Sequence, residues 1–182
     1  MRKTVFVTDP GIDGAFAIAL AMLDPTVDVL GLAATAGNVS AEQATRNVHI
    51  LIEQVDPPRW PRVGAALPVS YDIDGVNLHG PGGLGGVEFP CAQLHHPHPS
   101  DKLISDLVRQ APGEVSVVLM GPATGFARAL DRDGTTLVVR RADRLEVLAT
   151  NRLDDAIDAS PVLVGRQLLL RGHGHLYCIE EK

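Results

Sequence analysis

Apolar positions fall into short and long runs along this chain, and run length separates candidate strands from candidate helices. Val5-Phe-Val7 is short, its residues apolar or β-branched, and Pro10-Gly11 breaks it, so it reads as a buried strand. Asp13 then opens the run Ala15 to Leu23, a candidate helix that Asp24-Pro25 stops. Val27 to Thr35 is a second short apolar run and a second buried strand. Strand, helix and strand make a βαβ unit, which is right-handed and parallel almost without exception. The turns after Val7 and after Thr35 are therefore expected to open on one edge of a single sheet.

The alternation continues. Residues 41 to about 55 read as a helix, with Ser40 and Gln43 spaced as a capping box. Arg62-Val63-Gly64 allows a very short strand after the loop Pro57 to Pro61. Leu103, Ile104, Leu107 and Val108 recur at helical intervals between Ser100 and Gln110, with Ser100 as N-cap. Val115 to Met120 reads as another buried parallel strand, and Gly121 to Gly125 turns it into a helix over Phe126 to Leu130. This third strand end is expected to meet the first two. Between these elements, Tyr71 to Pro90 is dense in glycine and proline around His79, so no helix is expected there and a flexible loop is. It is not a phosphate loop, because no strand feeds it and no Gly-Lys-Ser/Thr follows. It reads either as a mobile lid carrying one functional histidine or as a solvated loop.

After Asp131-Arg-Asp133-Gly134 the pattern changes. Thr135 to Val139, Leu145 to Ala149, Pro161 to Val164, Gln167 to Arg171 and His175 to Ile179 are short β-like runs separated by turn signals, with Gly165-Arg166 at a hairpin position. The chain is therefore read as α/β. A mostly parallel sheet with flanking helices occupies residues 1–131, and a small antiparallel β meander occupies residues 132–182.

Composition narrows the function. The chain of 182 residues is 45% hydrophobic, enough for one core with a small appendage. Its formal charge of −6 supplies no basic field for nucleic acid or an anionic membrane. Cys91 and Cys178 stand far apart and outside any metal-ligand spacing, so two reduced thiols are expected. Met1-Arg-Lys-Thr leads straight into the first strand, no apolar signal segment is read, and no run reaches the length of a membrane span. A cytoplasmic protein is the expectation.

The candidate chemistry lies at the strand ends. Asp9 and Asp13 stand at the first strand-to-helix turn, where open α/β sheets leave a crevice for ligands. Carboxylate oxygens bind calcium or magnesium and accept hydrogen bonds from sugar hydroxyls. Asp13 is equally placed to cap the helix, whereas Asp9, two residues past the strand, has no capping role. The topology brings Asn38 beside Asp9. His95, His96 and His98 suggest zinc, but their adjacency in a Pro-flanked loop offers no spacing that converges on one ion, and a surface loop is the simpler reading. His173 and His175 read as strand-flanking surface residues.

Thr8-Asp9-Pro10-Gly11-Ile12-Asp13, Ala36-Gly37-Asn38-Val39-Ser40 with Gln43-Ala-Thr-Arg-Asn47, His79-Gly80 with Gly83-Leu-Gly-Gly86, and Gly121-Pro-Ala-Thr124 follow one another in order over about the first 130 residues. In this series the chain resembles the inosine-uridine-preferring nucleoside hydrolase family. The resemblance implies calcium-assisted hydrolysis of the N-glycosidic bond of ribonucleosides. It makes Asp9 the acid that ligates the metal and takes a proton from water, and Asp13 the residue that holds the ribose hydroxyls. By the same resemblance Asn38 lines the water and ribose site, His79 lies near the base, and the Thr124 carbonyl ligates the ion. A hard dication would lower the pKa of its water while the carboxylate accepts the proton as an oxocarbenium-like sugar forms.

The departures are as specific. Val7 stands where the family motif begins with an acid, and Gly14 where it has a second acid that ligates calcium. Residues 131–182 do not match the family's later half, with its remaining ribose and calcium ligands. Calcium takes about 6 to 8 oxygens, and each charged contact removed is expected to weaken binding by about 2 kcal/mol or more. Leu145 to Asn151, Ile157 to Pro161, and Leu169 to Arg171 through His175 to Cys178 resemble instead one repeat of quinoprotein-type β-propellers. A propeller needs several blades, so the quinone site does not carry over. The chain thus reads as composite, with a sheet edge exposed where further strands should pair. The C-terminal hairpins or a second copy in a homo-oligomer are expected to cover it. Three functions follow: a nucleoside hydrolase, a ribose- or nucleoside-binding module without turnover, and a remnant scaffold. Asp9, Asn38, His79 and Thr124 together favour the first two. Purine against pyrimidine preference is not legible.

Overall fold

The computed structural model describes residues 1–69, 75–91, 98–132, 135–140, 146–153, 155, 162–164, 167–172 and 174–180. The chain divides into two compact units, Met1–Phe126 and Ala127–Lys182.

In chain order the first unit holds β1 (Arg2–Thr8), α1 (Ile12–Leu23), β2 (Val27–Ala34), α2 (Ala41–Val55), β3 (Arg62–Ala65), α3 (Val76–His79), β4 (His98–Pro99), α4 (Ser100–Gln110) and β5 (Val115–Leu119), and α5 (Thr124–Arg132) begins within it. The five strands form one sheet in the order β4-β3-β2-β1-β5, and every neighbouring pair is parallel. Val5 and Val7 of β1 and Leu32 of β2 are fully buried, as expected of a parallel sheet covered on both faces. Ala44, Val48, Leu51 and Ile52 give α2 its buried face, and they join Phe6, Ile18 and Leu32 in the core. Leu103, Ile104 and Leu107 bury the corresponding face of α4, which packs on β2 and β3.

The register aligns the strand ends. Thr8 pairs with Ala34 and Val7 with Leu119. Just beyond, the Thr35 N–H donates to the Thr8 carbonyl at 2.8 Å, and the Met120 N–H donates to the Val7 carbonyl at 2.8 Å. The turns after β1, β2 and β5 therefore share one sheet edge, as the βαβ argument requires.

α1 buries Ile18 and Met22 but leaves Phe16, Leu20 and Leu23 exposed, so it is apolar on more than its core face. Val118 and Leu119 of β5, the strand at one edge of the sheet, are exposed too.

The second unit is antiparallel. β6 (Thr135–Arg140) pairs with β7 (Glu146–Arg152), and β8 (Val162–Val164), β9 (Gln167–Arg171) and β10 (Leu176–Glu180) form a separate sheet in the order β10-β9-β8. The Asp155 carboxylate pins the approach to β10. It accepts hydrogen bonds from the N–H groups of Gly174 and His175 and from the Tyr177 hydroxyl. These bonds, and the nearby His175 ring, hold its pKa below the ordinary value against the opposing effect of burial.

Several expectations are corrected in detail. The glycine-rich segment does contain a helical turn, α3, followed by a 3-10 turn over Pro81–Gly83. Four residues between glycines carry too little propensity to announce it, and Gly80 at φ 72° ends it. Ser100 is not the cap of α4 but its first residue, after Pro99. Its buried hydroxyl donates instead to the Ala34 carbonyl at 2.6 Å. α5 begins at Thr124, two residues before Phe126. The capping box at α2 is half made: the Ser40 hydroxyl accepts the Gln43 N–H at 3.3 Å, while the Gln43 side chain bonds Asn47. Cys91 and Cys178 are free thiols. His98 lies in β4, whereas His95, His96, His173 and the Gly165-Arg166 turn lie outside the described residues. Among the described residues no helix is long and apolar enough to cross a membrane.

Candidate active site

Asp9 follows the last residue of β1 and is only 7% exposed. It is held from two sides by the turn after β2. The Asn38 N–H donates to Asp9 Oδ2 at 3.0 Å, and Asn38 Nδ2 donates to the Asp9 carbonyl at 2.9 Å. Two glycines make this approach possible. A Cβ on Gly37 would collide with Asp9 Oδ2, and one on Gly121 with Oδ1, so the carboxylate lies wedged between the backbones of two strand-end turns. Sequence reasoning marked both glycines as turn residues but could not see this contact, because a glycine carries no sign of what approaches it.

Burial raises the Asp9 pKa above its ordinary value, and the nearby Asp13 charge adds to the rise. The Asn38 N–H, the Asp9 N–H and His79 oppose it without reversing it. A buried carboxylate with a raised pKa is a stronger proton acceptor than a solvated one, as a general base must be.

Asp13 is the second residue of α1 rather than its cap. Gly11 takes the N-cap position and no side chain caps the helix. The Asp13 carboxylate is 85% exposed and lies 3.9 Å from His79 Nε2. His79 is brought here from the end of α3. Its ring lies so close over Gly11 that a Cβ there would sit 2.7 to 2.8 Å from three ring atoms. The Ile12 N–H donates to His79 Nδ1 at 3.3 Å. With Nδ1 accepting, the proton of the neutral ring is on Nε2, the nitrogen that faces Asp13.

Thr8, Asp9, Gly11, Asp13, Gly14, Ala17, Asn38 and Met120 line a cleft of about 280 Å³ at this edge. The structure thus gathers Asp9, Asp13 and Asn38 around one opening, while His79 packs over Gly11 and beside Asp13 without being among the lining residues. Thr124 is exposed at the start of α5 and is not among the lining residues.

A parallel α/β sheet with a buried carboxylate and an exposed one at a three-strand crevice has its polar groups where open α/β folds bind small ligands. Comparison with known proteins gives the family: the sequence matches the inosine-uridine preferring nucleoside hydrolases over residues 5–147, and the chain belongs to that family. The match runs past residue 130, where the motifs had ended.

The chain is 36% identical to uridine nucleosidase 1 of Arabidopsis thaliana, over 74% of this chain and 41% of that protein. It is 37% identical to the non-specific ribonucleoside hydrolase RihC of Escherichia coli, over 72% of this chain and 44% of that protein. Among solved structures, the purine-preferring ribonucleoside hydrolase from Gardnerella vaginalis superposes with a TM-score of 0.65 at 28% identity, over 70% of this chain and 43% of that one. A plant nucleoside hydrolase superposes with a TM-score of 0.63 at 30% identity. The chain spans less than half the length of these relatives.

The family's calcium can be tested against the residues present. The cleft offers two carboxylates, of which Asp9 accepts from Asn38 and Asp13 stands toward His79. Gly14 lines the same cleft with no side-chain oxygen to give. Among the described residues no group of three or more His, Cys, Asp or Glu side chains converges as a metal site. This donor set does not fit a firmly held ion that takes about 6 to 8 oxygens.

Proposed function

We propose that the cleft binds a ribonucleoside and that Asp9 acts as general base in hydrolysis of its N-glycosidic bond. The observation that supports this most is the Asp9 carboxylate itself, buried between Gly37 and Gly121, raised in pKa and open to the cleft. A water held against Asp9 would pass it a proton and attack the anomeric carbon as the N-glycosidic bond breaks. The base departs as its anion and takes a proton from solvent, and Asp9 returns its own to solvent. Asp13, exposed at the mouth, accepts hydrogen bonds from the ribose hydroxyls. Asn38 orients Asp9 and lines the sugar, and His79, its Nε2–H toward Asp13, stands near the base. The ligand classes in the relatives' names, uridine, purine-preferring and non-specific, do not agree, so no base preference is assigned.

Calcium belongs to the proposal only as a weakly held ion, with Asp9 as the ligand in the cleft and the Thr124 carbonyl, outside the cleft lining, as the second ligand that the family resemblance implies. One observation favours a second reading, a ribose-binding module without turnover: Gly14 leaves the cleft with two carboxylates. The quinoprotein-like resemblance of residues 132–182, a cytoplasmic setting and a homo-oligomer formed at the exposed β5 edge complete the reading.

Binding is tested by calorimetry with uridine and inosine against their 2′-deoxy forms, in the natural chain and in Asp13→Ala. Weaker binding of the deoxy ligands, and an equal loss in the variant, are expected. Equal affinity for both sugars would overturn the role given to Asp13.

A further inference from the structure

Gln43 and Asn47 belong to the sequence motifs, yet neither has a part in the proposed reaction. Asn47 lies on α2, is fully buried, and has both ends of its amide engaged. Its Nδ2 donates to the Pro10 carbonyl at 3.3 Å and to the Gly82 carbonyl at 2.8 Å. Its Oδ1 accepts from Gln43 Nε2 at 2.8 Å. The first acceptor belongs to the turn that carries Asp9, and the second to the glycine loop that carries His79.

These bonds close a ring. Pro10 leads in two residues to Ile12, whose N–H donates to His79 Nδ1, and His79 leads in three residues to Gly82. Asn47 bridges the far ends. Gly83 seals the contact at φ 83°, where a Cβ would lie 3.2 Å from both Asn47 Nδ2 and the Pro10 carbonyl and 2.9 Å from Val39. An amide is suited to this place, because its two N–H bonds meet two carbonyls while its oxygen takes the glutamine donor. A carboxylate there would turn an acceptor toward two acceptors, and a buried unpartnered carbonyl is costly.

We infer that Asn47 is a positioning residue that couples the Asp9 turn to the His79 loop and so fixes the His79 ring with Nδ1 accepting and Nε2–H toward Asp13. This rests on the proposed ribonucleoside site only for its purpose. The coupling itself is observable without ligand, so its failure and the failure of that reading are separable.

The test uses the full chain and two substrate-free readouts: the 15N shifts of the His79 ring, which report its tautomer, and hydrogen exchange at the Gly83 and Gly85 amides, which bond Gly80 and His79. In the natural chain one Nε2–H tautomer is expected. In Asn47→Ala the tautomers should mix and both amides should exchange about tenfold faster, the factor that a lost hydrogen bond of about 1.4 kcal/mol gives. Gln43→Ala removes only the bond that orients the amide, and it carries the test where Asn47→Ala fails to fold. A smaller shift in the same direction is expected of it. A folded variant with the natural His79 shifts and natural exchange at both amides would overturn the assignment, whether or not it binds nucleoside.

Discussion

Position 14 offers the sharpest test of what the cleft lacks. Gly14 is the third residue of α1, and a Cβ built there would meet only Met120 Cε at 3.8 Å and Thr8 Oγ1 at 4.0 Å, both ordinary contacts. Gly14→Asp therefore places its Cβ without displacing anything, and its carboxylate at the cleft that Gly14 lines. In the helix the change gains a few tenths of a kcal/mol in propensity and about 0.3 to 1 kcal/mol from an acid near the N-terminus. Against this stands repulsion from Asp9 and Asp13, so stability without a cation should change little. With calcium, one added charge-assisted contact contributes about 2 kcal/mol, which is about thirtyfold in affinity. Calorimetric titration of chelator-stripped protein reads this directly. The variant should bind calcium about thirtyfold more tightly than the natural chain, and adding Asp9→Asn should abolish the gain. A folded variant whose affinity is unchanged would show that position 14 does not face the ion, and the account of the incomplete donor set would fall.

Asp9 and Gly11 give two further expectations. A carboxylate whose folded pKa is raised leaves the native state at a disadvantage once pH rises through the unfolded value and then the folded one. Asp9→Asn should therefore melt above the natural chain at pH 7, with the gap closing below about pH 4, the ordinary carboxylate range. A gap that widens in acid would contradict the sign. Gly11→Ala places a methyl against the His79 ring at a φ of −96°, which any residue adopts, so the effect is purely steric. It should cost about 1 to 3 kcal/mol, read as a lower Tm, and should release the His79 ring as seen in its 15N spectrum. An unchanged ring signal would show that the ring does not lie over Gly11.

Much of this fold was legible because its parallel strands are short apolar runs and its helices carry apolar positions at intervals of three and four. Parallel connection then placed three turns on one edge, and Asp9, Asp13 and Asn38 followed from that placement. What the sequence hid depends on close approach or on single side chains. Gly37 and Gly121 look like any turn glycines until Asp9 is seen between them. Ser100 has the spacing of a cap, yet its hydroxyl serves the Ala34 carbonyl. The α3 turn is too short to show a period, and it is the element that brings His79 over Gly11. Asn47 stood in a recognisable motif, but its two carbonyl partners lie 37 and 35 residues away, beyond any local pattern.

The central claim, that this cleft hydrolyses ribonucleosides through Asp9, is met most directly by measuring ribose release. Inosine, uridine, adenosine and cytidine would be incubated with the full chain, with calcium and with chelator, against Asp9→Asn as the blank. Release that is present in the natural chain, lowered by chelator and absent in the variant is the expected result. Release no greater than the variant's, on every nucleoside and with calcium in excess, would contradict the claim and leave a family scaffold without the family's chemistry.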